Sequence, residues 1–132
     1  MVNNKLECLL KYINTSLKKC SEKELEYLIK NEDVICSLDF HRFEMLSYKF
    51  ENITFKKNSF RGAFLVDSVF FNCTFYSCSF ITAVIENVKF INCKFENCVF
   101  CSIYSENNIQ EKCIFIDNYI DSGFIKESQK LL

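Results

Sequence analysis

The sequence is poor in the residues that break regular structure. Its 132 residues include no proline, no tryptophan, two glycines and one histidine. With 49% apolar residues the chain lacks the composition of a disordered segment, so we expect one folded domain with at most a small appendage. Sixteen basic against 17 acidic residues leave a net charge of −1. A nearly neutral chain has no global field to attract nucleic acid, so a nucleic-acid partner is not expected.

Signals for a membrane, for export and for catalysis are also scarce. No run approaches the roughly 18 apolar residues of a membrane-spanning helix, and Glu7 and Lys11 interrupt the apolar core of a signal peptide. Gly62 and Gly123 stand alone, so there is no glycine-rich phosphate loop. The single His41 is expected at the surface. We predict a non-enzymatic protein with no catalytic residue, no cofactor and no membrane association.

What the sequence has in abundance is a bulky apolar residue at every fifth position. Five residues advance about 500° on an α-helix, and an odd spacing alternates between the two faces of a strand. Such residues can share one interior only if the chain turns a corner between each residue and the next. The predicted core is Phe50, Phe55, Phe60, Leu65, Phe70, Phe75, Phe80, Ile85, Phe90, Phe95, Phe100 and Phe115.

A second period of twenty residues is visible within the first. The aliphatic centres Met45, Leu65 and Ile85 are twenty apart, whereas the column through Phe55 and Phe75 is phenylalanine throughout. A coil of four five-residue faces accounts for both periods, because residues twenty apart then stack on one face. A small residue two positions before most centres is predicted to fill the space beside the ring.

Several repeat units resemble those of pentapeptide-repeat proteins. They are Asn72-Cys-Thr-Phe-Tyr76, Ser77-Cys-Ser-Phe-Ile81, Asn92-Cys-Lys-Phe-Glu96 and Asn97-Cys-Val-Phe-Cys101. The resemblance covers about residues 36–125. It implies an all-β solenoid, a right-handed quadrilateral β-helix of about four to five coils, each of about 20 residues.

Helical signals precede the repeat. Leucine and isoleucine recur at the spacing of one helical face over residues 5–19, and Ser21 with Glu24 indicates a capping box that opens a second helix through Lys30. We predict that residues 1–35 form a helical cap, because a bare solenoid end exposes rings and unpaired strand edges. A separate docking or export segment is the alternative. Residues 126–132 are predicted to form a short helical tail over the last coil.

Nine cysteines raise the question of disulfides and metals. Five of them occupy the small interior slot: Cys73, Cys78, Cys93, Cys98 and Cys113. Stacked strands at about 4.8 Å would bring these thiols close together, but parallel Cβ vectors make poor disulfides. We therefore expect buried, reduced thiols and a reducing compartment. The CxxxxC spacing is longer than tight structural zinc sites use, and the repeat already explains it, so no metal site is predicted.

One coil departs from the pattern. Between Cys101 and Lys112 the central positions are Ser105 and Gln110, and Asn108 takes a small slot. Phe115 resumes the original phase, so nothing was inserted or deleted. Two interpretations are open: a loosened final coil where burial weakens, or a loop pushed outward to meet a partner.

The residue just before each centre should point outward, and on the aliphatic face these residues are apolar. Monomeric proteins usually avoid a contiguous apolar strip over several coils; simple stacking between neighbouring rungs is the alternative explanation. The candidate partner-binding residues, hereafter the apolar stripe, are Phe64, Val66, Ile81, Val84, Tyr104 and Phe124.

Two functions follow from the resemblance. Compact pentapeptide-repeat domains with helical N-terminal parts resemble segments of secreted bacterial effectors. This implies a scaffold that binds a protein partner, or a second copy as a homodimer, in the bacterial cytoplasm or a host cytosol. The alternative is protection of DNA gyrase or topoisomerase from quinolones or toxins by resembling duplex DNA, with its charge every ~1.7 Å. Residues 36–125 hold eight Lys and Arg against ten Asp and Glu, and the rod is only about 22 Å long. We therefore rank the binding module first.

Overall fold

The computed structural model describes residues 4–121. The helices are α1 (Asn4–Ile13) and α2 (Glu22–Asn31). The strands are β1 (Lys18–Lys19), β2 (Val34–Cys36), β3 (Leu38–Asp39), β4 (Glu44–Leu46), β5 (Lys49–Glu51), β6 (Thr54–Lys56), β7 (Phe64–Val66), β8 (Val69–Phe71), β9 (Thr74–Tyr76), β10 (Ser79–Ile81), β11 (Val84–Glu86), β12 (Lys89–Ile91), β13 (Lys94–Glu96), β14 (Val99–Cys101), β15 (Tyr104–Glu106), β16 (Ile109–Glu111), β17 (Ile114–Ile116) and β18 (Tyr119–Ile120). Neither described helix is long and apolar enough to cross a membrane. The predicted tail, residues 126–132, lies outside the described residues.

The strands form four parallel faces. One is β4–β7–β11–β15, the second is β5–β8–β12–β16, and the third is β2–β6–β9–β13–β17. The fourth contains β1–β3 and β10–β14–β18, which Ser59 joins by bridges to Asp39 and Ser79. Paired residues on neighbouring strands are 20 residues apart, which is one coil; Phe55, for example, lies opposite Phe75. The predicted four-faced, all-β solenoid is confirmed, with about five coils.

The corners show how the chain turns every five residues. At residue 37 and at each fifth residue up to 117, the backbone φ lies between +53° and +63°. This left-handed conformation suits Gly, Asn and Asp better than other residues, and Asn holds many of the corners. The Asn72 amide nitrogen donates to the Asn52 amide oxygen at 2.6 Å, and Asn92 donates to Asn72 at 2.9 Å. Side-chain hydrogen bonds therefore connect these corners from one coil to the next along the solenoid axis.

The predicted core residues share one interior. Each bulky centre from Phe50 to Phe100 is at most 1% exposed, and Phe115 in the last described coil is half-buried against the same cluster. Rings one coil apart stack, with Phe75 at 4.8 Å from Phe55 and 4.7 Å from Phe95 between centroids. Rings five residues apart meet edge to face, as Phe70 and Phe75 do at 5.4 Å.

Helix α2 covers the N-terminal end of this interior. The Ser21 hydroxyl accepts a hydrogen bond from the Glu24 backbone N–H at 3.1 Å, which starts the helix as the capping box predicts. Leu25 is fully buried in the core cluster, and Leu28 and Ile29 pack against it. The end of the solenoid is thereby shielded from water. The domain boundaries at residues 35 and 125 stay predictions.

Helix α1 is shorter than predicted. It ends at Ile13, not at residue 19, and Lys18–Lys19 forms β1. The reason is tertiary. Strand β3 offers an unpaired edge, and β1 pairs with it in parallel as one more rung, so the helix has to end earlier than its apolar spacing alone would require.

Helix α1 also lies along the side of the solenoid instead of covering its end. Leu6 and Leu9 line a hollow together with Tyr119, near the opposite end of the fourth face. The outward-facing Ser79 and Val99 on that face are buried, at 1% and 0% exposure. The apolar side of α1 therefore covers the outer surface of the fourth face.

The polar coil is regular, so the predicted outward loop at residues 101–112 is wrong. Burial does weaken in this coil, where Ser105 and Phe115 are half-buried, as the other interpretation expects. Strands β15 and β16 pair in register with β11 and β12. The buried Asn108 amide oxygen accepts from the Val88 N–H at 2.9 Å, and its nitrogen donates to the Ile85 carbonyl at 2.7 Å and to the Ser105 hydroxyl. Gln110 is 1% exposed, and its amide nitrogen has no hydrogen-bond partner within residues 4–121. Backbone pairing and the Asn108 bridge keep this coil in register without a full apolar core.

Candidate partner-binding surface

The apolar stripe lies mainly on the first face, β4–β7–β11–β15. The strand register places Glu44, Phe64, Val84 and Tyr104 in one outward column. Leu46 and Val66 begin the second outward column of the same face. The three-residue strands dictate this arrangement, because the central residue points inward and its two neighbours point outward.

The stripe is open to solvent at its two ends and partly closed between them. Phe64 is 39% exposed and Tyr104 is 56% exposed. Val66 and Val84 are half-buried. Ile81 is also half-buried and sits on the adjoining fourth face, opposite Cys101. Phe124 lies outside the described residues.

Leu46 flanks the stripe in the sequence, and the structure exposes 49% of its surface. Leu46 pairs with Val66 one coil away, so it extends the stripe toward the N-terminal end. Its signal is present in the sequence as an apolar residue just after a bulky centre. We include Leu46 in the surface from here on.

The charges on the first face are all of one sign. Its outward positions include Glu44 at one end and Glu86 and Glu106 at the other, and β4, β7, β11 and β15 carry no Lys or Arg. The Tyr104 hydroxyl donates to the Glu106 carboxylate at 2.5 Å. The face therefore combines an apolar centre with carboxylates at both ends.

Other exposed apolar residues occur on faces of mixed charge. Phe71 on the second face is 43% exposed; its strand neighbours are Glu51 on one side and Ile91 on the other. Ile114 and Ile116 on the third face are 56% and 36% exposed. These residues lie outside the stripe predicted from the sequence. Their faces carry Lys49, Lys89, Lys56 and Lys94 as well as acidic residues, which makes them ordinary solvated surface.

The interior cysteines have a hydrogen-bonding role that their positions in the repeat do not reveal. All nine are free thiols. The Cys98 thiol donates to the Phe75 carbonyl at 3.3 Å, 23 residues earlier, and Cys78 makes the same contact with Phe55. Asn118 donates to the carbonyl of Phe95 from the equivalent slot. In these coils the slot holds a small hydrogen-bond donor, whereas Ala63 and Ala83 fill it beneath the aliphatic face. Burial raises the pKa of the Cys98 thiol, which makes it a poor nucleophile.

The single histidine lies apart from the thiols. His41 is exposed, and its backbone N–H donates to the Asp39 carboxylate at 2.9 Å. It lines an open hollow of about 580 Å³ with Arg61 and residues that follow α1, and no cysteine lines that hollow. The structure thus brings no thiol to His41.

Four parallel faces, a register of 20 residues and a bulky centre every five residues define a pentapeptide-repeat β-solenoid. The family profile described as "SV2A/B/C luminal domain" matches residues 12–100, and the chain belongs to that family. No curated protein matches the sequence.

Solved structures with a similar course of the chain include two of QnrB1, a plasmid-mediated fluoroquinolone resistance protein. A trypsin-treated form is 13% identical with a TM-score of 0.38, over 61% of this chain and 47% of that one. The full-length form is 16% identical with a TM-score of 0.35, over 61% of this chain and 57% of that one. This chain thus spans about half the length of QnrB1.

A third structure is Rfr23, a pentapeptide-repeat protein from the cyanobacterium Cyanothece 51142. It is 6% identical with a TM-score of 0.37, and the match covers 76% of this chain and all of Rfr23. At these scores none of the likenesses carries an argument about function. Protection of gyrase stays a prediction, and the solenoid itself is established by the strand register of this chain.

Proposed function

We propose that the protein is a non-enzymatic binding module that docks a partner protein on the apolar stripe. One observation carries this: a contiguous apolar column stays open on a face that no described helix covers, whereas α1 covers the fourth face. Phe64 and Tyr104, 39% and 56% exposed, are its most accessible aromatic side chains. Aromatic anchors of this kind dominate protein interfaces.

The charges of the stripe favour a different protein over a second copy of this chain. A two-fold dimer buries the same patch on both subunits. Because Glu44 lies at one end of the stripe and Glu106 at the other, either alignment of two stripes would bring carboxylates together. Like charges at an interface oppose association. A partner with an apolar patch flanked by Lys or Arg meets no such penalty.

The compartment proposed for this interaction is a reducing one, either the bacterial cytoplasm or the cytosol of a host that receives the protein as an effector. Cys8 and Cys36 are exposed free thiols. Exposed thiols persist where glutathione and thioredoxin keep them reduced.

The experiment compares the double variant Phe64→Lys/Tyr104→Lys with the matched control Phe71→Lys. Phe71 is exposed to nearly the same extent as Phe64, 43% against 39%, but belongs to the second face. Affinity capture from the native cell with quantitative mass spectrometry should recover the same partner with the wild type and the control. The double variant should lose it while circular dichroism stays rich in β-structure.

Two results would contradict the proposal. One is capture that is unchanged in the double variant, since the stripe would then be irrelevant to binding. The other is a wild-type dimer in sedimentation velocity that the double variant abolishes, since the occupant would then be a second copy.

A further inference from the structure

The spacing of the apolar column on the first face bears on the conformation of the partner. Phe64, Val84 and Tyr104 lie on successive strands and directly oppose one another in the register. Neighbouring strands are about 4.8 Å apart, so about 9.6 Å along the solenoid axis separates Phe64 from Tyr104. The two aromatic residues are 39% and 56% exposed, and Val84 between them is half-buried. The column therefore offers a row of three apolar contact points.

An α-helix matches the spacing of this row, and an extended chain does not. Residues seven apart in a helix are separated by about 10.5 Å on nearly the same side, with residue i+3 or i+4 between them. Residues on one side of an extended chain are about 6.8 Å or about 13.6 Å apart. A helix parallel to the solenoid axis thus reaches both aromatic residues to within about 1 Å. An extended chain misses one of them by about 3–4 Å.

The second outward column of the first face carries charge on one side of this row. From the N-terminal end it reads Leu46, Val66, Glu86 and Glu106. Neither glutamate belongs to an ion pair that the structure shows within residues 4–121. A helix on the apolar column therefore has one flank beside two carboxylates. Lys or Arg on that flank is attracted, whereas Asp or Glu is repelled.

The second face lacks this combination. Phe71 and Ile91 follow Glu51 in one of its outward columns, but Lys49 and Lys89 occupy the other. A cationic flank beside that column meets like charges, which oppose association. The first face is thus the better match for a helix that is both apolar and cationic.

We propose that the partner docks on the apolar stripe through a cationic amphipathic α-helix that lies along the solenoid axis. Its apolar positions i, i+3 or i+4, and i+7 pack on Phe64, Val84 and Tyr104. Lys or Arg on one flank pairs with Glu86 and Glu106. The apolar positions supply the contact area, and the charged flank sets the direction of the helix on the face. The inference rests on the proposed function, since the helix belongs to the partner that binds the stripe.

The test uses designed peptides of about 15 residues, which is about four helical turns. The lysine peptide carries leucine at i, i+4 and i+7 and lysine at i+1, i+5 and i+8, which share one flank of the helix. Fluorescence anisotropy with the full chain should show saturable binding of this peptide. A peptide with glutamate in place of each lysine should bind at least about tenfold more weakly.

A third peptide tests the helical conformation itself. It is the lysine peptide with proline at i+2, on the side away from the solenoid, so its leucines and lysines are unchanged. Proline breaks a helix, and this peptide should also bind at least about tenfold more weakly. Equal binding of the lysine peptide and either control would overturn the proposal, and so would a lysine peptide that does not bind.

Variants locate the helix on the first face. Glu86→Lys/Glu106→Lys should weaken binding of the lysine peptide at least about tenfold and should let the glutamate peptide bind. The gained ligand shows that this variant is folded. Glu111→Lys is the matched control, because Glu111 is exposed in the next strand but belongs to the second face; it should leave both affinities unchanged. Unchanged affinities in the double variant would overturn the assignment of the cationic flank.

The proposed function and the helix fail separately. Phe64→Lys/Tyr104→Lys should abolish binding of the lysine peptide, and Phe71→Lys should not. If capture of the native partner depends on the stripe but the lysine and proline peptides bind equally, the helix inference alone is wrong. If the lysine peptide needs the stripe but capture is the same in the double variant, the proposed function alone is wrong.

Discussion

Replacement of Phe75 by alanine is the most direct test of the architecture. Phe75 is fully buried and stacks on Phe55 and Phe95 at 4.8 and 4.7 Å. It also meets Phe70 and Phe80 edge-on at 5.4 and 5.7 Å. Truncation of a buried phenylalanine to alanine costs about 3–5 kcal/mol of unfolding free energy. Because the adjoining coils are locked by backbone pairing, they have little freedom to collapse into the cavity, so we expect the upper end of that range.

Urea denaturation followed by circular dichroism measures this loss as a change in unfolding free energy. The matched control is Phe71→Ala, because Phe71 has the same side chain but 43% of its surface is exposed; its cost should be about 1 kcal/mol or less. Tyr76→Ala, one position after Phe75 and outward-facing, should also cost far less than Phe75→Ala. Phe75→Leu retains most of the apolar volume and should cost about 1–2 kcal/mol, which keeps the experiment readable if the alanine variant does not fold.

Equal losses at Phe75, Phe71 and Tyr76 would refute the assignment of inside and outside. A loss of unfolding free energy below about 1 kcal/mol for Phe75→Ala would contradict a rigid solenoid core, since only a core that collapses into the cavity could lose so little.

Three further predictions concern the polar coil and the thiols. Gln110→Phe should raise the unfolding free energy by about 1–3 kcal/mol, because it removes an unpaired buried amide and extends the column of Phe70 and Phe90; a loss of stability in the same urea assay would show that the amide has a partner in solution. Burial, and secondly Glu24, raise the pKa of Cys20 from 9.0 to about 11, so the stability it contributes is complete below pH 9 and lost as the pH rises through 11. Between those pH values the unfolding free energy of Cys20→Ala should therefore fall by up to about 3 kcal/mol less than that of the wild type. Curves of unfolding free energy against pH that run parallel for the two proteins would contradict this. Exposed Cys8 should react with Ellman's reagent at once whereas Cys98 should react only on unfolding, which single-cysteine variants would separate; rapid reaction at Cys98 would place its thiol outside the core.

Much of the candidate site could be predicted from position in the repeat. The strand pattern identifies Phe64 and Tyr104 as outward and two coils apart, and the register shows that they share a column through Val84. Position in the repeat could not show how open each residue is. Val84 and Tyr104 hold equivalent positions, yet Val84 is half-buried and Tyr104 is 56% exposed. Val84 lies between Phe64 and Tyr104, whereas Tyr104 is on the last described strand of the face.

The sequence by itself determined which side chains lie inside. A bulky residue every five positions can be buried only by a chain that turns at each unit, so Phe75 and its equivalents needed no tertiary information to be assigned. Asn at many corners reinforces the same answer, since a left-handed turn is accessible to it.

Only the tertiary structure decided which outer surfaces stay open. Val84 and Val99 are both valines just before a bulky centre, and no local signal separates them. Val99 is buried on the face that α1 covers, and Val84 lies on a face that neither described helix covers. The same long-range packing ended α1 at Ile13 and made β1 from residues predicted to be helical. The physical reason is that an unpaired strand edge and an apolar outer face are each covered by a segment that is distant in sequence. The local spacing of residues does not show which segment will reach them.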